Sequence, residues 1–167
     1  MTADGWSAPL GLTPDGRRLA GPGKRFLGLF LDGLLWGLPA LVLYGLFLAV
    51  IIASAPAQGE AAGAGFVLGI LAVYGFVFLL GIAAVAVESE LLFRRGRTWG
   101  MGWTGLRVVD ARTGAPISRG RAWGRTLFAR FISGQICGLG YWWALFDNRN
   151  RTLHDLVVGT VVIEEAA

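Results

Sequence analysis

Residues 26–53 and 65–87 form two long apolar runs that together hold a single charged side chain, Asp32. About 20 apolar residues suffice to cross the hydrocarbon of a bilayer. The chain has 167 residues, 54% of them hydrophobic and 16% charged, with a mean hydropathy of +0.58. A water-soluble domain of this size has no interior large enough to hide both runs. The fold class predicted is therefore an all-α integral membrane protein with two full transmembrane helices. A third apolar segment, residues 126–146, is interrupted by Arg130, Gln135 and three glycines, and is expected to be broken or re-entrant. Lys24 and Arg25 before the first run and Ala53-Ser54-Ala55 after it resemble a secretory leader. The apolar core of a leader is roughly 7–15 residues, so a retained span is expected.

Charge sets the orientation. Arg17, Arg18, Lys24 and Arg25 precede the first run, and Arg94, Arg95, Arg97, Arg107, Arg112, Arg119, Arg121 and Arg125 follow the second. The connection at 55–65 has no Lys or Arg. The positive-inside rule then makes the N-terminus cytoplasmic and the 55–65 loop external. Arg149 and Arg151, just after the third segment, place the C-terminus on the cytoplasmic side as well. Two short β-branched runs, residues 106–110 and 160–164, are predicted to pair as a small cytoplasmic two-stranded β element, which requires the third segment to enter and leave on one face. Residues 1–24, rich in Gly, Pro and small polar residues, are expected to be a disordered cytoplasmic tail, and residues 25–163 the membrane domain.

A net charge of +4 comes without a zinc-finger, helix-turn-helix or RNA-binding signature, so no nucleic acid is expected; the lipid bilayer is the partner, with a homo-oligomer or another membrane protein beside it. One cysteine, Cys137, and one histidine, His154, build neither a disulfide nor a metal cluster. His154 adjoins Asp155, but no nucleophile motif accompanies them, so the reading is non-enzymatic, with no catalytic residue, cofactor or metal.

A carboxylate at mid-span costs roughly 2.5–3.5 kcal/mol, so Asp32 should face protein and a partner. Arg25, seven residues earlier on the same helical face, Arg130, or an arginine of the cytoplasmic region are the candidates. The functional polar cluster expected is Arg25, Asp32, Glu88, Arg130 and Asp155. Gly33/Gly37, Gly65/Gly69 and Gly134/Gly138 have the small-xxx-small spacing that lets helices approach closely.

Three blocks recur in the order seen in one known family: Arg25-Phe26-Leu27 through Asp32; Gly105-Leu106-Arg107-Val108-Val109-Asp110 with Gly114 and residues 118–122; and Arg151 through Thr160, including His154 and Asp155. On these the chain resembles the RDD family of small, mostly bacterial membrane proteins. The resemblance implies that Arg25 is the family arginine, Asp32 the first aspartate and Asp155 the second, with Asp147 the other candidate. A block that often reads Thr-x-Gly-Lys in relatives is here Thr98-Trp99-Gly100-Met101, with Met101 in the lysine's place. The family's molecular role is largely unassigned. The leading expectation is a multi-pass cell-membrane protein whose buried arginine/aspartate cluster organises the helices and a partner site. The alternatives are an oligomeric cation/proton transporter using Asp32 and an accessory subunit of a larger membrane complex.

Overall fold

The computed structural model describes residue 9 and residues 11–55, 63–133 and 139–165. The two apolar runs lie on helices α1 (Pro22–Ala53) and α2 (Ala64–Arg95), 32 residues each. At about 1.5 Å per residue each is ~48 Å long, more than the hydrocarbon thickness of about 30 Å. Pro22 opens α1 where its missing N–H costs nothing, and α1 continues through Pro39. Arg94 and Arg95 occupy the last turn of α2, where cations complement the helix dipole, and Gly96 follows with φ +69°.

The chain divides into two compact units, one of Gly33–Ala84 and one of Met1–Asp32 with Val85–Ala167. In the first, large apolar side chains such as Leu41, Leu46, Phe78 and Leu79 are exposed along both helices. Both helices are long and apolar enough to cross a membrane. A Cβ added at Gly33, Gly37, Gly65 or Gly69 would meet nothing within 4 Å among the described residues, so these glycines do not mediate the close helix contact their spacing suggested. Gly134 and Gly138, with Gln135 and Cys137, lie outside the described residues.

The second unit continues from α2 through α3 (Trp99–Trp103), β1 (Leu106–Asp110) and α4 (Arg119–Phe128), which runs into a π-helical turn at Ala129–Ser133. There follow α5 (Leu139–Trp142) with a 3-10 turn at Trp143–Leu145, α6 (Leu153–Val158) and β2 (Thr160–Glu164). The strands pair antiparallel from Leu106↔Glu164 to Asp110↔Thr160. Alternation along the strands gives the sheet two apolar faces. Leu106, Val108 and Val162 pack with Ala20, Leu92, Ile117 and Ala122, and Met101 lies against them. Val109, Val161 and Ile163 pack with Leu19 and Ala111.

The segment expected as a disordered tail is built into this unit over residues 11–24. Leu12 bridges Arg18, Leu19 bridges Ile163, the Ala20 amide donates to the Val162 carbonyl at 2.9 Å, and α1 already begins at Pro22. The physical reason is the free edge of β2, which takes up these backbone groups while Leu19 and Ala20 cover one sheet face each.

Ile163 is 1% exposed and Val157 63%. Ile163→Ala is expected to cost about 2–5 kcal/mol and Val157→Ala less than about 0.5 kcal/mol, read as unfolding midpoints of the detergent-solubilised protein.

Candidate functional site: the buried arginine and aspartate centre

Only Gly28 and Asp32 are buried on α1, and Arg25 lies on the same helical face at i−3 and i−7 from them. Across from this face, α6 starts at the N-cap Thr152, and its third residue is Asp155, which is 0% exposed. Asp155 Oδ2 accepts the Thr152 amide at 3.2 Å and the Thr152 hydroxyl at 2.8 Å, closing one half of a capping box. Oδ1 accepts Arg125 Nε at 3.0 Å and the Thr160 hydroxyl at 3.1 Å. Arg25 Nη2 completes the set at Oδ2, while its Nη1 donates to the Asn150 carbonyl. Asn150, at φ +55°, donates its side-chain amide to the Ala20 carbonyl at 3.3 Å.

One carboxylate thus ties α1, α4, α6 and β2 together. Removing such a group from water costs several kcal/mol, and two guanidinium groups with three further donors offset that cost here. Burial pushes the Asp155 carboxyl up, but Arg25 and Arg125 outweigh it and hold it well below the usual carboxylate range.

His154 is buried beside it, with its ring edge-on to Tyr141 at a centroid distance of 5.2 Å. The Thr152 hydroxyl spends its proton on Asp155, so its contact with His154 Nε2 at 2.8 Å makes Nε2 the donor. Nδ1 then carries the lone pair and meets no hydrogen-bond partner among the described residues. Burial, with Arg125 nearby, pushes the His154 pKa down to about 3, so the ring is neutral.

Asp32 is held differently from the arginine partnership expected of it. Its Oδ2 accepts the Thr98 hydroxyl at 2.5 Å and its Oδ1 the Gly100 amide at 2.8 Å. Thr98 is the N-cap of α3 and accepts the Met101 amide at 3.4 Å. The contact requires bare backbone on both helices. A Cβ on Gly100 would collide with the Gly28 carbonyl and lie 2.9 Å from Asp32 Cγ, and one on Gly28 would lie 3.2 Å from Thr104 Oγ1. Among the described residues, Gly28 and Gly100, rather than the Gly33/Gly37 and Gly65/Gly69 pairs, are the glycines at a close helix approach.

The residues singled out in the sequence fall into separate groups. Arg25 and Asp155 are joined, Glu88 pairs with Arg130 at 2.5 Å, and Asp32 sits with Thr98 and Gly100. Arg107 pairs with Glu165 at 2.8 Å, and Asp110 with Arg121. Asp110 also accepts the Arg112 and Thr113 amides; burial raises its pKa, but Arg121 and these amides bring it to about 2. Asp147 accepts Arg151 Nη2 at 2.9 Å and takes no part in the Arg25 centre. Sequence reasoning missed Arg125, Thr98 and Gly100. Arg125 carried no mark among its neighbouring arginines, whereas Thr98-x-Gly100 stood in a recognised block without a role. Among the described residues, no three His, Cys, Asp or Glu side chains converge as a metal site.

Asp155→Asn would turn an amide donor onto a ring of donors, and the expected loss is about 3–5 kcal/mol of stability, measured by thermal or chemical unfolding in detergent. Acid should act through His154 first. The unfolded ring takes up a proton below its ordinary value of 6.5 and the folded ring only near 3. Stability contributed by the neutral ring is therefore present above pH 6.5 and falls as the pH drops toward 3, by up to about 1.4 kcal/mol per pH unit. His154→Gln should flatten the unfolding midpoint between pH 6.5 and 4, leaving the carboxylate-linked loss that begins below Asp155's ordinary 3.8.

The RDD family model matches residues 19–159, which include Arg25, Asp32 and Asp155. An uncharacterized protein of Haemophilus influenzae is 34% identical over 114 residues, covering 62% of this chain and 65% of that protein. The chain thus spans under two thirds of that relative's length. No solved structure matches the chain. With most of its length inside the family match, the chain belongs to the RDD family.

Proposed function

We propose that this protein is a non-enzymatic integral membrane protein in which the arginine/aspartate centre fastens the membrane helices to a cytoplasmic cap. The observation that carries this reading is that every oxygen of both aspartates accepts a fixed donor: Asp155 from Arg25, Arg125, Thr152 and Thr160, and Asp32 from Thr98 and Gly100. Donors fixed on each carboxylate oxygen tie together the elements that supply them, which supports a fastening role.

The cap comprises the β1–β2 sheet with α3, α4 and α6, and its arginines favour the cytoplasmic side. The pairing of β1, which precedes the third apolar segment, with β2, which follows it, supports a segment that enters and leaves on one face. Both termini are then cytoplasmic, and the exposed apolar flanks of α1 and α2 face lipid or neighbouring membrane proteins.

The test is reconstitution into liposomes loaded with a pH-sensitive dye, alongside unfolding midpoints of the same preparations. Under this reading Asp32→Ala and Gly100→Ala each lose about 1–3 kcal/mol. Asp32→Asn loses less, because its Oδ1 still meets the Gly100 amide and its amino group can donate to Thr98. None of the four proteins, wild type included, should dissipate a proton gradient. Proton flux in the wild type that Asp32→Asn abolishes at an unchanged unfolding midpoint would overturn the reading in favour of a transporter.

A further inference from the structure

We infer that the end of α2 carries a binding site for a phosphate headgroup, supplied by an anionic phospholipid. A cavity of about 290 Å³ opens between the last turns of α2 and α3, lined by Leu91, Arg95, Arg97, Trp99 and Trp103 among others. Its charge is only partly compensated. Arg95 has no carboxylate partner among the described residues, and Arg97, 2.5 Å from Glu165, shares that carboxylate with Arg107 at 2.8 Å. Two guanidinium groups converging on one cavity are suited to the oxygens of a phosphate.

The surroundings favour a phosphate that carries an apolar tail. Val87, Leu91 and Arg95 stand at i, i+4 and i+8 on α2, so an apolar stripe leads along the helix into the cavity, with Val87 37% exposed. Trp103 is 64% exposed, a ring of the kind that settles at the headgroup level of a membrane. A cavity of this volume holds a glycerophosphate headgroup but not acyl chains, which would lie outside along the stripe. The inference rests on the membrane reading above and adds a headgroup preference to it.

The experiment is native mass spectrometry of the full chain in detergent, titrated with equal amounts of phosphatidylglycerol and phosphatidylcholine, with inorganic phosphate as a separate arm. The expected result is a preference for phosphatidylglycerol of about fivefold or more. It should shrink in Arg95→Gln and in Arg95→Lys/Arg97→Lys, which keeps the charge but not the fork, and vanish in Arg95→Gln/Arg97→Gln, with unfolding midpoints confirming that each variant is folded. Equal uptake of both lipids by the wild type, or a preference indifferent to Arg95→Gln and to the double variant, overturns the site. Inorganic phosphate binding with the same arginine dependence, without phosphatidylglycerol binding, overturns the lipid source. Retention of neither phospholipid, with a chain that stays dispersed after detergent removal, defeats the membrane reading itself, an outcome distinct from lipid uptake without headgroup preference.

Discussion

The cap depends on the ion triplet of Asp155 with Arg25 and Arg125. Each member comes from a different helix, and each is nearly or wholly removed from water, so none can be satisfied unless all three helices are docked. A buried ion pair of this kind adds less to stability than an apolar contact of the same volume would. A misdocked arrangement would strand a buried charge, at a cost of about 3–5 kcal/mol. The centre chooses among ways of assembling the helices, while the aliphatic faces of the sheet supply most of the cohesion.

Asp32 contributes something different. It lies well inside α1, and it borrows its donors from the start of α3, a helix of only five residues that would be marginal by itself. The carboxylate and α3 depend on each other: the short helix gains an anchor for its first turn, and the aspartate gains a hydroxyl and an amide in place of water. Bare backbone at Gly28 and Gly100 sets the distance at which this exchange works.

The two apolar helices and the strand pair were legible because each follows from periodicity and side-chain type: long uncharged runs, and β-branched residues at 106–110 and 160–164. The hold on Asp32 was not legible, since one of its two donors is a backbone amide, which every residue but proline possesses. Leu19 and Ala20 are too short a run to register as a strand, yet the unpaired edge of β2 gives them backbone partners. Arg125 stood in a stretch dense with arginine, where only the turn of α4 decides which guanidinium points inward. In Thr98-x-Gly100 and Thr152-x-x-Asp155 the local capping pattern was present in the letters, but its tertiary use was not.

The Arg25–Asp155 contact joins residues 130 apart in a chain of 167. During synthesis α1 is made before α6, and its basic end must wait, solvated, until Asp155 has left the ribosome. Leu19 likewise has no strand to join before Ile163 is made. Closing so long a loop is slow compared with helix formation, so the two long apolar helices form before the contacts of Asp155 do. β2 therefore closes this unit: until it is made, Asp155 lacks the Thr160 hydroxyl and the sheet lacks its second strand.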